Sequence, residues 1–428
     1  MKNLYSKSIL LSAITAALLP SHAFAQGNND GLGGVDGDIE SIYTKVTNLE
    51  KKQKALNFYV NFAETFQAEH DSRTGDWTSR FYNKNLRIEM TGWLTDNLYY
   101  RFRHRLNKTD APMSEDNFAK ATDYMMVGWK FNDTWSIQGG KKCQALGSFE
   151  FDENPLYIYQ FSDMEDNVDS SKGALNLLFN PTPSQQFSVE VSNTYNGKLK
   201  DEFGDNAVTT TGTIKGKDAS TIKNELKTER LEAANSPLTY SVGWNGKFLN
   251  NKLQTRWSFS LRTQAKGKYS RLVRLGQKLN LKKLQWYFDY SGSFDDLDRM
   301  KIATNDLAEF LPTITNEEGT VTKAYFNDVY NNSFVTKMNW QFATDWNLML
   351  KGMYETASVS KIEALKNYRK AYGYIGSLEY YPAKKQKQDL RIFLAYVGRK
   401  YDFSKKCGLQ DYNTDRIELG IMYRLKAY

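Results

Sequence analysis

The chain is poor in the residues most catalytic and metal chemistry needs. Its 428 residues hold two cysteines, Cys143 and Cys407, and three histidines. Two cysteines are too few for a disulfide framework, and no bond is expected between this pair, because the strand order read below keeps them far apart. One histidine falls in the N-terminal leader, which leaves His70 and His104. Neither has a flanking serine arrangement of the kind a nucleophile and its base require. Metal-ligand clusters, phosphate loops and nucleotide motifs are absent from the sequence, so neither a cofactor nor catalysis is expected. A carboxylate pair working as acid and base remains the one open enzymatic route, since carboxylates are plentiful. Past the N-terminus no apolar run approaches 18 residues, which together with 25% charged residues excludes a helical membrane bundle.

What is abundant is aromatic and basic. Aromatics make up 14% of the chain, 27 of them tyrosine, against only 8 prolines, and the formal charge is +8. Long strands with interfacial aromatic belts have this composition, as do many soluble β proteins. A basic balance fits nucleic acid, acidic lipid or anionic solutes, and an export signal argues against nucleic acid. That signal spans residues 1–25: Lys2 and Lys7, an apolar core from Ile9 to Leu19, then Ala23-Phe24-Ala25, with cleavage expected before Gln26.

Residues 26–37 are rich in Gly, Asn and Asp and read as a flexible leader. Over 38–56 the period changes. Ile39, Ile42, Val46, Leu49, Gln53 and Leu56 recur in steps of three and four, which predicts a short periplasmic coiled-coil helix. Alone it is too short to be stable. It fits a post between subunits already gathered into a trimer, or a single amphipathic helix lying on its own chain.

From residue 57 to 428 the period is two. The clearest stretch is LRIEMTGWLTDNLYYRFRHRL, Leu86 to Leu106, divided by the turn cluster Thr95-Asp96-Asn97. Leu86, Ile88, Met90, Leu98, Tyr100 and Phe102 share one face. Arg87, Glu89, Arg101, Arg103 and Arg105 share the other. One greasy face and one charged face predict a membrane barrel with lipid outside and a wet lumen inside. Carried along the chain, the pattern gives sixteen strands of roughly 10 to 15 residues, long enough to cross a bilayer. The expected fold class is all-β: a 16-stranded antiparallel transmembrane β-barrel, with its short turns on the periplasmic side and its longer connections outside. The repeats WKFNDTW (Trp129 to Trp135) and WQFATDW (Trp340 to Trp346) place tryptophans around short turns, as an aromatic girdle would. A soluble hairpin core could place them there too.

The same alternation predicts the pore lining. Its anion-attracting members are Arg87, Arg101, Arg103, Arg105, Lys142, Arg256, Arg262, Lys337, Lys351 and Arg391, joined by Arg274, Lys278, Arg399 and Arg424. Fewer acids share this face: Glu89, Glu190, Asp289, Glu355, Glu379 and Glu418. Arg101, Arg103 and Arg105 stand about 7 Å apart, within the Debye length of about 8 Å. They repel one another unless anions or cross-strand carboxylates intervene, and the resulting field gathers anions. The bland alternative is a solvated face whose charges only keep the wall wet. The stretch from Gly139 to Asp163 follows the fifth strand, where a constriction loop would sit. Lys141 and Lys142 stand at its root, and Asp152, Glu153 and Asp163 would temper their charge.

In LRIEMTGWLTDNLYYRFRHRLN and in the lead-in Gly140-Lys141, the chain resembles the phosphate-selective porin O/P family, in its divergent branch from anaerobic gram-negative bacteria. The resemblance implies a sixteen-stranded, usually trimeric, passive anion channel of the cell outer membrane. Its partners would be outer-membrane lipid and lipopolysaccharide, sister subunits of a homotrimer, the barrel-assembly machinery and small anionic solutes such as phosphate or carboxylates. Two departures stand out. Cys143 to Phe149 reads CQALGSF where many members carry a Pro-Phe-Gly-like segment. Ile417, Leu419, Ile421, Tyr423 and Leu425 lie out of phase with the terminal aromatic, Tyr428. The alternative function is a binding, adhesive or structural barrel with a blocked lumen.

Overall fold

A computed structural model describes residues 55–108, 119–312, 314–315, 321–384 and 388–427. The expected signal peptide and leader lie outside these residues, as does nearly all of the expected helix. No helix among the described residues is long and apolar enough to cross a membrane, so any crossing is made by strands.

Sixteen of the described strands close into one antiparallel barrel. In chain order they are β1 (Asn57–Asp71), β2 (Trp77–Trp93), β3 (Leu98–Arg105), β4 (Thr122–Lys130), β5 (Trp135–Cys143), β6 (Ser171–Thr182), β7 (Gln185–Asn193) and β8 (Leu238–Phe248). Then come β9 (Leu253–Ala265), β10 (Lys268–Asn280), β11 (Leu284–Asp295), β12 (Val329–Ala343), β13 (Trp346–Val359), β14 (Arg369–Tyr380), β15 (Asp389–Phe403) and β16 (Tyr412–Lys426). Each strand pairs with its sequence neighbours, and β16 closes on β1 through pairs such as Asn61 with Arg424. Closure leaves no row of unpaired backbone groups at a sheet edge, a condition hydrocarbon imposes.

The alternation that specifies the barrel is plain on β7. Gln186, Ser188, Glu190 and Ser192 are buried toward the inside, while Phe187, Val189 and Val191 are exposed on the outside. The outward set continues with Trp257, Phe259, Trp286, Phe288, Leu350, Leu394, Leu419 and Ile421, an apolar band of the kind lipid selects. Around the short turns the aromatics meet ring to ring: Trp135 with Phe179 at 4.5 Å, Trp244 with Trp257 at 5.2 Å, and Trp346 with Tyr380 at 4.8 Å. Trp129 and Trp340 stand exposed in the same belt.

The connections sort by parity only in part. The seven on the turn end are short, the longest spanning residues 381–388. On the opposite, loop end residues 106–121, 144–170, 194–237 and 296–328 make long connections, but residues 72–76 alone join β1 to β2, and Lys266-Gly267 alone joins β9 to β10, Gly267 supplying a φ of +69°. A second correction concerns β1 and β2, which extend through what the sequence pattern takes as loop. His70 and Trp77 are therefore paired strand residues whose rings stack at 5.3 Å.

The long connections are not loose. Residues 208–211, 227–230 and 324–325 form a three-stranded sheet, Ile214 bridges to Ile362, and short helices cover 219–225 and 302–306. Ile222, Met300, Ile302, Leu307, Phe310, Phe326, Leu365 and Tyr368 are buried together in one core. That core also takes in Leu272, Val329, Ala357 and Val359 from the strands, and Leu146 and Met164 from residues 144–170. In the register Ala357 lies opposite Asn331 and two residues from Glu355, on the inward face. The connections thus form a lid seated in the mouth of the barrel, and each fully buried Leu or Ile contributes about 1.5–3 kcal/mol to holding it there.

Candidate functional site

Two β-bulges decide how the first strands present charge. Where β1 pairs with β2 the register skips at Ala63/Glu64, leaving Lys84 as the extra residue. It turns inward to Glu418, at 2.8 Å. Where β3 pairs with β4 the register skips at Arg103/His104, and Asp123 is the extra residue. Simple alternation would put Asp123 outside with Met125. The bulge turns it into the lumen instead, where it meets Arg105 at 2.8 Å, Arg103 at 3.1 Å and Arg87 at 3.6 Å. Asp123 is thus the centre of the arginine ladder, and strict period-two reading misses it.

The rest of the ladder is also partnered. Arg101 pairs with Glu89 at 2.6 Å and lies over the Tyr124 ring at 4.1 Å, and Arg424 reaches the other Glu89 oxygen at 3.5 Å. Glu89 is fully buried between them. Lys142 pairs with Glu190, which also accepts from the Ala145 backbone at 2.7 Å. Arg391 sits over Tyr157 at 3.7 Å, with Asp389 at 3.3 Å and Glu379 at 3.8 Å.

Residues 144–170 fold into the barrel and cross it to the far wall. Along the way Asp152 pairs with Arg256 of β9 and Glu153 with Lys337 of β12. Glu150 pairs with Lys351 of β13 at 2.6 Å, and Glu165 with Arg274 of β10 at 2.9 Å. Asp163 pairs with Arg369 and, at 2.6 Å, with Arg399. The Tyr159 hydroxyl donates to Glu379 at 2.9 Å, and Arg416 donates to the Tyr159 carbonyl at 2.8 Å. Apolar contact accompanies this charge pairing. Phe149, Leu156, Tyr157 and Tyr159 are buried against inward-facing Val335, Met353, Ile375, Phe393 and Val397. The inner wall opposite the loop is therefore partly apolar, which the picture of a uniformly charged lumen does not include. Close approach depends on Gly276: a Cβ there would fall 2.4 Å from Asp289 Oδ1 and 2.9 Å from Phe149 Cδ2.

Of the residues singled out in the sequence, Arg87, Arg101, Arg103, Arg105, Lys142, Arg256, Arg262, Lys337, Lys351 and Arg391 all take inward-facing positions. Lys141 pairs in the ladder with Met125 and Gly173, directly after Gly140 at a φ of +118°, and is fully buried at 2% exposure. Lys142 pairs with Lys172 and reaches Glu190 inside. Asp152 and Glu153 do belong to the inward loop. Glu150 and Glu165 do the same work beside them, and their only sequence signal is membership of that acidic stretch. Cys143 and Cys407 are free thiols.

A closed sixteen-stranded barrel with an apolar outside, a charged inside and an inward-folded loop after its fifth strand is the architecture of a bacterial outer-membrane channel. The chain belongs to the family of phosphate-selective porins O and P, whose model matches residues 56–425. No curated protein matches the sequence. Among solved structures it is similar to the outer membrane channel DcaP of Acinetobacter baumannii, at 9% identity and a TM-score of 0.54, over 86% of this chain and 97% of that one. It is equally similar to an anion-selective porin from Comamonas acidovorans, at 9% identity and a TM-score of 0.54, over 86% and 99%. OmpF of Salmonella typhi, in complex with daunomycin, follows at 12% identity and a TM-score of 0.50, over 86% and 97%. At such identities the likeness is one of fold.

Proposed function

We propose that the protein is a porin that passes small hydrophilic solutes passively, with a preference for anions such as phosphate or carboxylates. The observation that carries this reading is the inward row of arginines and lysines on β2, β3, β9, β10 and β12–β16. A field of one sign along a water-filled wall concentrates counter-charged solutes, and guanidinium matches phosphate and carboxylate geometry. The family and the anion-selective Comamonas porin support the same direction. Because carboxylates of the third loop, residues 144–170, and of Glu89, Asp123 and Glu190 offset much of the cationic wall, the preference is moderate. The test is the reversal potential of the purified protein in a planar bilayer under a salt gradient, and a cation preference would refute it.

One observation favours a second reading, a barrel with a blocked lumen serving adhesion or structure. The lid carries its own apolar core and is seated in the outer mouth. Single-channel recording separates the two, since a blocked barrel passes almost no current and a porin gives stable steps.

We further propose a homotrimer whose contacts use the outer face of β1–β4. There Glu64 accepts from Asn83 at 3.1 Å, and His104 lies 3.1 Å from the Thr122 hydroxyl. By register both point away from the lumen. Polar groups on that face are costly against lipid and suit a neighbouring subunit. The remaining outer wall would face lipid, with lipopolysaccharide around the outer rim.

A further inference from the structure

On the outer side of the lid, buried anchors hold a set of lysines out into solvent. Ile214 and Ile362 meet in a parallel bridge, both buried in the lid core. The Ile214 N–H donates to the Lys361 carbonyl at 2.9 Å, and the Glu363 N–H to the Ile214 carbonyl at 3.0 Å. Alternation along the bridged segments turns Lys215 and Lys361 away from that core, and both are exposed. Ala364 and Leu365 are fully buried in a single 3-10 turn, which leaves Lys366 exposed just past it. The Ser404 N–H donates to the Tyr368 carbonyl at 2.7 Å and Cys407 is fully buried, so Lys405 and Lys406 stand exposed between two fixed points. Lys217, also exposed, completes the set. Three connections of the loop end, residues 194–237, 360–368 and 404–411, thus contribute to one basic patch.

Acid is scarce there. Glu363 accepts from Lys366 at 2.6 Å, which holds its carboxyl below the usual range, and the charges of Lys406 and Lys217 act on the same group. Asp218 accepts from the Thr221 N–H at 2.8 Å, Asp411 accepts from the Phe403 N–H at 2.6 Å, and Asp328 stands within reach of Lys361. Lys215, Lys217, Lys405 and Lys406 form no ion pair among the described residues. Elsewhere on the lid the two signs are interleaved. Lys266 pairs with Glu232 at 2.6 Å, Lys268 with Glu229 at 2.6 Å, and Lys301 with Glu202 at 2.7 Å.

We infer that this patch binds an acidic polysaccharide, a single chain with sulfate or uronate groups laid across all three connections. A small anion meets one or two lysines on an exposed surface, where each contact is weak and screened. A chain with repeated charges meets several lysines at once and releases its counterions together. The anchored backbone beneath the lysines lowers the ordering cost of that contact. Nucleic acid fits less well. Residues 212–218, 361–367 and 404–410 contain no aromatic side chain on which a base could stack and no arginine fork for a phosphate. The patch lies outside the lumen, so the inference rests on neither reading of the barrel and holds whether it conducts or is blocked.

The test is binding of the detergent-folded full chain to labelled heparin and to polygalacturonate. Dextran serves as the neutral glycan and an oligothymidylate of matched charge as the nucleic acid. At least one acidic glycan should bind, and the tighter of the two tells sulfate from carboxylate. Its affinity should fall by about 50-fold between about 50 mM and about 200 mM sodium chloride, as when four charges are neutralised. Lys215→Gln with Lys217→Gln, and separately Lys405→Gln with Lys406→Gln, should each weaken binding by about tenfold. Lys282→Gln with Lys283→Gln removes the same charge from an exposed turn at the opposite end of the barrel and should change affinity by less than about twofold. Acidic glycans that bind no better than dextran overturn the inference, as does an equal loss from the turn-end pair. An oligothymidylate that binds more tightly than both glycans overturns it in favour of nucleic acid. Failure of the porin reading would show in bilayer currents instead, and leaves this comparison untouched.

Discussion

Charge in the lumen is set residue by residue, by which cation has been given a carboxylate. Glu153 holds Lys337 where the third loop meets the far wall. Glu153→Gln keeps the shape and releases the positive charge of Lys337 at that contact. A unit charge about 8 Å from a passing ion in water is worth about 0.5 kcal/mol, favouring an anion and opposing a cation by that amount, so the ratio of anion to cation permeability should rise by up to about fivefold and by less as salt screens it. A reversal potential that does not move, or moves toward cations, would contradict the pairing. Gly276 offers a steric counterpart. Gly276→Val would drive a side chain into Phe149, at a cost of about 1–3 kcal/mol for overpacking. The third loop should loosen, read as faster hydrogen exchange over residues 148–160 with the barrel intact; unchanged exchange would show that the loop does not lean on that glycine. At this scale the sequence is legible wherever alternation runs unbroken, as for Arg101, Arg256 and Lys351. It misleads at the bulges, where Lys84 and Asp123 turn inward against their expected phase.

The strands were legible as elements because three signals agree: a period of two, turn residues between the runs, and tryptophans at one end. The lid was not. Its helices and short strands are brief, and its core joins residues as distant as Leu146, Ile222, Phe310 and Leu365, a non-local packing that no local pattern announces. The lid also brings acids into apolar surroundings. Asp298 is fully buried, and burial pushes its carboxyl up to about 7, although Thr304 N donates to it at 2.7 Å. Burial pushes Glu165 up to about 7 as well and raises Asp306. The sign follows from linkage. These acids bind protons more tightly in the folded lid than in the unfolded chain, whose carboxyls titrate near 4. For Asp298 and Glu165 the penalty is absent below about pH 4, grows as pH rises, and is complete above about pH 7. The lid should therefore open more readily at pH 8 than at pH 5.5. Hydrogen exchange over residues 208–230 and 297–311, corrected for the intrinsic rate, checks this, and greater protection at pH 8 would contradict it.

For the whole molecule, two properties reach beyond one barrel. If the outer face of β1–β4 meets a sister subunit, native mass measurement in detergent should show three copies. Glu64→Leu with His104→Leu, which removes the polar groups that call for a neighbour, should then shift the population toward monomer; an undiminished trimer would show that these groups do not mark the contact, and a wild-type monomer would remove the proposed interface. The other property is conduction itself. The most direct measurement is the current through single molecules in a planar bilayer, followed by its reversal potential under a tenfold potassium chloride gradient. Discrete steps whose reversal potential favours chloride are the predicted result; silence would mean that the lid and third loop close the barrel, and a potential favouring potassium would mean that the paired carboxylates, and not the arginines, set the field.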